Sequence, residues 1–330
     1  MGEELIFGPP GCGKTYTLID IVKEELGRGT PPDRIGFVSF SKKSIEEAKD
    51  RISAQTKLSL KDVPWFKTLH STGYNWLGLN DSNMMTRNDF NDLGKELGVI
   101  FDGYTAKSNS DGVLLQSFNK GNQYLELIGR ATMREVSLEE EYNDNGDYQL
   151  NYSFLNKVDQ VYKDYKREYD KRDFTDMISD FVNQGTAPKL DVLIVDEAQD
   201  LTKLQWSMIE VLKQSAERIW YAGDDDQAIH AWNGVDVTNF MNSCENIRIL
   251  DQSFRVPTSV HKLANKIVNR IDVRQHKDWN PTTREGSVDY HMNWYDVDID
   301  EGSWTIMART NKIVSKIETN LRDNGYLYER

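Results

Sequence analysis

The sequence predicts an α/β protein in which helices flank a parallel sheet, interrupted by a mainly helical insert. Three observations carry this expectation. Short apolar runs at residues 4–7, 34–40, 192–195 and 219–224 read as buried strands, and the first two are each followed by a helix with apolar residues on one face. The first run leads straight into Gly8-Pro9-Pro10-Gly11-Cys12-Gly13-Lys14-Thr15, a complete G-x-x-x-x-G-K-[ST] phosphate loop between a strand and a helix. Between about residues 79 and 169 the texture turns polar, punctuated by Asn, Asp and Gly, with helical spacing and few β-branched residues.

Each element follows from its residues. Tyr16, Leu18, Ile19 and Val22 open an apolar-periodic helix behind the loop. The loop's glycines let successive N–H groups and the positive end of that helix point at an anion. Lys14 is then expected to reach the β/γ-phosphates and the Thr15 hydroxyl to hold Mg²⁺, while Cys12 reads as a small residue at a variable position. After the second strand, Ser41 can cap a helix carrying Ile45, Ala48 and Ile52 on one face. Residues 65–71 read as a third short strand. Ligands gather at the carboxyl ends of parallel strands, so Ser39, Phe40, Ser41, Thr68, His70 and Ser71 are candidates for a binding surface. Phe154, Val158, Tyr162 and Tyr165 keep the spacing of a long returning helix.

Four buried-type residues, Val192 to Val195, deliver Asp196 and Glu197 to a strand tip. Beside a phosphate loop, Asp196 is expected to bind Mg²⁺ and Glu197 to orient and deprotonate an attacking water. An acidic helix N-terminus is the alternative for this pair. Gln227, in the loop after the strand at 219–224, carries both a donor and an acceptor and suits sensing a γ-phosphate. His230 and Trp232 offer flat faces for a base, although a Trp in such a place also suits a core. Arg255 can stabilise charge on a transferring phosphoryl group or make a surface salt bridge.

Composition bounds the rest. A net charge of −13 argues against a protein that coats nucleic acid indiscriminately, and leaves room for a strand held in a local cleft. Two cysteines, Cys12 and Cys244, make neither a disulfide framework nor a zinc site. No apolar run approaches the roughly 18 residues of a membrane span, and the start Met1-Gly2-Glu3-Glu4 is acidic, so the expected compartment is the cytoplasm, with no membrane partner.

Taken together these segments resemble the UvrD/Rep-like (PcrA-like) branch of superfamily 1 DNA helicases. Gly8 to Thr15 resembles motif I, Ser39-Phe40-Ser41-Lys42-Lys43 motif Ia, and Thr68-Leu69-His70-Ser71 motif Ib. Asp173-Phe174-Thr175-Asp176-Met177 is similar to the D-F-D-D-L ahead of motif II, and Asp196-Glu197-Ala198-Gln199-Asp200 to motif II itself. The run from Gly223 to Trp232 resembles motif III, the run from Leu250 to Arg255 motif IV, and Ala308-Arg309-Thr310-Asn311 a strand of the second motor domain.

The resemblance implies a RecA-like P-loop NTPase fold and an ATP- and Mg²⁺-driven motor on single-stranded DNA, or on a duplex with a single-stranded tail, moving 3′ to 5′. It implies a motor domain from residues 1–78 and 170–250, a helical insert at 79–169, and an incomplete second RecA-like domain from 251. Phe40 and Trp232 would stack on bases, with Ser41, Thr68, His70 and His230 along the strand's path. Phe254 would take the place of the Tyr that packs on adenine, and Tyr16 that of a family Arg near the nucleotide. Gln227 and Arg255 would couple phosphate state to cleft closure. Counterparts of motifs V and VI are missing from the 330 residues, so the chain is expected to be either part of a longer helicase, which is the favoured reading, or a shortened relative, and to hydrolyse ATP poorly by itself. A nucleotide-dependent DNA-binding switch and a small-molecule kinase are the competing classes.

Overall fold

The computed structural model describes residues 2–101, 119–146, 150–229 and 234–329. They form two compact units, residues 1–286 and 287–330. The larger begins β1 (Gly2–Phe7), α1 (Lys14–Gly27), β2 (Ile35–Ser39), α2 (Lys42–Gln55), β3 (Phe66–Thr68) and α3 (Leu69–Trp76). Four helices follow: α4 (Arg87–Leu97), α5 (Lys120–Arg134), α6 (Leu138–Asn145) and α7 (Tyr152–Glu168). The chain returns through α8 (Phe174–Gln184), β4 (Val192–Asp196), α9 (Lys203–Leu212), β5 (Arg218–Gly223), α10 (Val237–Met241), β6 (Ile247–Ile249) and α11 (Thr258–Val268).

All six strands pair in parallel, in the order β3-β2-β4-β5-β1-β6. Alternate residues point to opposite faces, and both faces are covered. Leu5, Phe7, Val38, Leu193 and Val195 enter one core; Ile6, Ile35, Phe37, Val192 and Ile194 enter the other. This is why the strands read as continuous apolar runs instead of alternating ones. Each such side chain fully removed from water contributes about 1.5–3 kcal/mol. The strand order has one consequence for function: the C-terminal tips of β1, β5 and β4 lie side by side, with Phe7 opposite Gly223 and Val195 opposite Tyr221.

Residues 65–71 are a strand only over Phe66–Thr68. The Thr68 hydroxyl accepts a hydrogen bond from the Ser71 amide at 3.2 Å, and this cap starts α3 one residue later. Gly73 lets α3 close on α8, since a Cβ there would stand 2.4 Å from the Met177 carbonyl oxygen. Helices α4, α5 and α7 enclose a third core around Phe90, Leu93, Tyr124, Leu155 and Val158. The entry and exit of this helical group run side by side, the Met85 amide donating to Arg172 O at 2.9 Å and the Arg172 amide to Asn83 O at 2.7 Å.

Beneath that junction, Lys166 of α7 holds Asp173 at 2.9 Å and Asp176 at 2.7 Å, and the Tyr162 hydroxyl donates to Asp173 at 2.7 Å. Burial, then repulsion by Asp173, pushes the Asp176 carboxyl up to about 7 despite Lys166. An unfolded Asp ionises near pH 4, so between about pH 4 and 7 the folded chain keeps a proton that the unfolded chain has lost, and stability falls as pH rises. Asp176→Asn removes that titration. Between pH 5 and 8 the wild type is expected to lose more stability than the variant in urea unfolding. Parallel pH profiles for the two proteins would contradict this.

The smaller unit contains α12 (Asn311–Asp323), which the Thr310 hydroxyl caps and which buries Ile317 and Leu321. The segment 308–311, expected as a strand, is instead an irregular lead over residues 308–310 into this helix, which Asn311 begins. Among the described residues of that unit no second extended segment pairs with it, and an unpaired strand leaves its N–H and C=O groups unsatisfied.

Candidate functional site

The loop after β1 is built by its glycines. Gly11 and Gly13 hold φ of 73° and 82°, a left-handed region that other residues enter at a cost. A Cβ at Gly8 would overlap the Lys14 side chain, 2.0 Å from its Cγ, so Gly8 is what allows Lys14 to fold back across the loop. Gly13 caps α1 without a side chain, which leaves the N–H groups of the first turn for an anion. Cys12 is buried, and burial raises its thiol pKa, in keeping with a small neutral filler.

Lys14 Nζ lies 3.1 Å from Glu197 Oε2. Burial opposes the lysine's charge, but the carboxylates of Glu197, Asp196 and Asp224 hold its pKa above the ordinary value. Asp196 is 1% exposed; its Oδ1 accepts from the Glu197 amide at 2.9 Å, and its Oδ2 is buried with no hydrogen-bond partner among the described residues. Burial, followed by the neighbouring Glu197, pushes the Asp196 carboxyl up to about 7, with Lys14 pulling the other way. Glu197 itself sits at φ 51°, a strained conformation for a residue with a side chain.

An orphaned carboxylate oxygen beside a phosphate loop fits Mg²⁺. That ion takes one or two protein oxygens and completes its shell with phosphate and water. Asp196 and the Thr15 hydroxyl are hard oxygen donors of this kind. Among the described residues there is no group of three or more His, Cys, Asp or Glu that would cage a metal on protein ligands alone.

Gln199, to which the sequence assigned no role, joins the parts. Its Nε2 donates to Glu197 Oε2 at 3.0 Å and Asp200 Oδ2 at 2.9 Å, and its Oε1 accepts from the Asp224 amide at 3.1 Å. Gly223 is needed for this, because a Cβ there would stand 2.4 Å from Gln199 Oε1. Gln227 Nε2 in turn donates to Asp224 Oδ2 at 2.6 Å. On the other side, Ser253 Oγ donates to Pro10 O at 2.7 Å and the Phe254 amide to Gly11 O at 2.9 Å, bringing residues 253–255 against the phosphate loop. Phe254 and Tyr16 keep exposed rings. Arg255 is exposed, and its guanidinium has no ion-pair or hydrogen-bond partner among the described residues.

The residues expected along a nucleic-acid path are placed differently. Phe40 lies in the core between sheet and helices, and Thr68 and His70 are also buried, His70 edge-on to Phe174 with ring centroids 5.8 Å apart. Thr68 and Ser41 spend their hydroxyls capping α3 and α2. In this conformation Phe40 therefore presents no open stacking face. His230 and Trp232 lie outside the described residues.

The phosphate loop follows β1, the paired acids end β4 and the glutamine loop follows β5, three neighbouring strands of one sheet. Residues 1–248 match the family model for the UvrD/REP helicase N-terminal domain. The chain belongs to this family. It is 23% identical over 348 residues to the ATP-dependent DNA helicase PcrA of Bacillus subtilis, covering 99% of this chain and 45% of that protein. The PcrA proteins of Staphylococcus epidermidis and Staphylococcus aureus are 24% and 25% identical over 310 and 313 residues, 88% of this chain and 41% of theirs. The chain thus spans less than half the length of these curated relatives. No helix among the described residues is long and apolar enough to cross a membrane.

Proposed function

We propose that this chain carries the nucleotide-binding part of an ATP-dependent DNA helicase that moves 3′ to 5′ on single-stranded DNA. The observation that carries the reading is the meeting of Gly8 to Thr15, Asp196, Glu197 and the Gln227 loop at three adjacent strand tips, joined by Gln199. Gly8 to Thr15 wraps the phosphates, Lys14 neutralises the β/γ oxygens, and Tyr16 and Phe254 flank the nucleoside. Glu197 orients and deprotonates the attacking water. Gln227 senses the γ-phosphate, and Arg255 meets the charge that develops on it. Thr15 and Asp196 would hold Mg²⁺, which would supply charge neutralisation on the phosphate oxygens. In this reading residues 1–78 and 170–250 are the first motor domain, 79–169 its insert, and 251 onward the start of the second. Ser41, Phe40, Thr68, His70, His230 and Trp232 border the DNA path, and the buried members become accessible as the strand binds.

Hydrolysis of MgATP, followed with and without a single-stranded oligonucleotide, tests the assignment, and displacement of a strand from duplexes with 3′ or 5′ tails tests the direction. The reading expects stimulation by single-stranded DNA and unwinding of the 3′-tailed duplex by the protein that contains these residues. DNA-dependent nucleotide binding without displacement would make it a switch instead. Turnover that answers to a small hydroxyl compound and ignores DNA would overturn the proposal.

A further inference from the structure

Asp224, Asp225 and Asp226 form a run of carboxylates immediately ahead of Gln227, and the first two are 1% and 7% exposed. Buried carboxylates need cations close by. Here they come from a segment 52 residues further along the chain. The Lys277 side chain is wholly buried, with Nζ 3.0 Å from Asp224 Oδ1, 2.9 Å from Asp226 Oδ2, and paired with Asp225 Oδ1 as well. Arg274 takes Asp226 through Nε and Nη2, both at 2.7 Å, and the Gln275 amide donates to Asp225 Oδ2 at 2.7 Å. Burial works against the lysine's charge, yet the surrounding carboxylates hold its pKa above the ordinary value.

This cluster sits between two parts of the nucleotide site. Through Asp224 it reaches Gln227 on one side and Gln199, Glu197 and Lys14 on the other. The segment that carries Lys277 also pairs with the Arg255 loop. The Ser253 amide donates to Asn280 O at 2.8 Å, the Asn280 amide to Asp251 O at 2.6 Å, and the Thr282 amide to Val256 O at 2.8 Å. A phosphate that draws Lys14 away from Glu197 leaves Gln199 as that carboxylate's remaining side-chain donor among the described residues, and Gln199 is bonded to the Asp224 amide. Lys277, with three carboxylates in reach, can follow a movement of Asp224 without losing its charge partners.

We propose that Lys277 is a positioning residue: it seats the Asp224–Asp226 loop so that Asp224 can hold Gln227, and it passes nucleotide occupancy at Lys14 on to residues 274–282. This rests on the nucleotide site proposed above. A lysine that merely neutralised buried acids would stabilise the fold equally with and without nucleotide, so the two roles separate experimentally.

Hydrogen–deuterium exchange of this 330-residue chain with and without Mg·ATPγS is the measurement. In the wild type, nucleotide is expected to slow exchange at least about fivefold in both 225–228 and 274–282. Lys277→Arg retains the response at 274–282, and Lys277→Met loses it. Should Lys277→Met fail to fold, Lys277→Met combined with Asp225→Asn removes one charge of each sign. That variant is expected to bind Mg·ATPγS within about threefold of wild type, to show the response at 225–228, and to show none at 274–282. A preserved response at 274–282 in either methionine variant, or none in a wild type that binds nucleotide, overturns the inference and leaves the nucleotide site standing. Failure of the wild type to bind Mg·ATPγS overturns the site itself and the inference with it.

Discussion

Replacing Glu197 by Gln is expected to lower hydrolysis of MgATP about 10³-fold while nucleotide binding stays intact or tightens, because the change removes a general base and keeps its shape. The amide still accepts from Gln199, which donates to Oε2 at 3.0 Å, so the link to Asp224 survives. What disappears is the charge that ties up Lys14 at 3.1 Å. In the free protein that ion pair competes with the phosphates for the same ammonium group. Losing it also leaves Asp196 without the like charge beside it, and Asp196 then ionises more readily. Equilibrium titration with Mg·ATPγS and single-turnover hydrolysis separate the two effects. A fall in affinity that matches the fall in rate would mean that Glu197 acts by shaping the pocket, and a rate within tenfold of wild type would remove it from the chemistry.

The elements that were legible in the sequence are those whose residue types answer a local demand. Only glycine accepts φ of 73° and 82° at residues 11 and 13 without penalty, and an uninterrupted Val-Leu-Ile-Val run suits a strand buried on both faces, as β4 is. The end of β3 departs from the sequence expectation because Thr68 serves as a helix cap as readily as a strand residue, and burial of Leu69, Thr72 and Gly73 on the α3 face decides between the two. Phe40 drew attention as a ring at a strand tip; whether such a ring faces outward depends on the helices packed over it, which local pattern does not encode. The strand order was equally hidden. It brings residue 7 beside residue 223, and no periodicity within either segment announces the pairing. Lys277 is the extreme case: one lysine in a polar stretch, ordinary by every local measure, whose role depends on three acids 51 to 53 positions earlier in the chain.

Gly11→Ala is expected to destabilise the chain by about 2–5 kcal/mol, and Gly13→Ala by only about 1–2 kcal/mol, although both replace a glycine at positive φ. The left-handed backbone costs about 1–2 kcal/mol in either place. A Cβ at Gly13 meets nothing closer than Tyr16 Cβ at 3.9 Å, so little is added there. A Cβ at Gly11 would stand 2.4 Å from Arg255 Cβ and 3.1 Å from Ser253 Oγ, and relief requires the 253–255 loop to withdraw. Withdrawal breaks the Phe254 amide bond to Gly11 O and the Ser253 bond to Pro10 O. Urea unfolding of the two variants therefore measures, by difference, how closely the Arg255 loop is pressed onto the phosphate loop. Equal losses would mean that the two loops part freely in solution, and Arg255 could then reach a phosphoryl group only after a separate closing step.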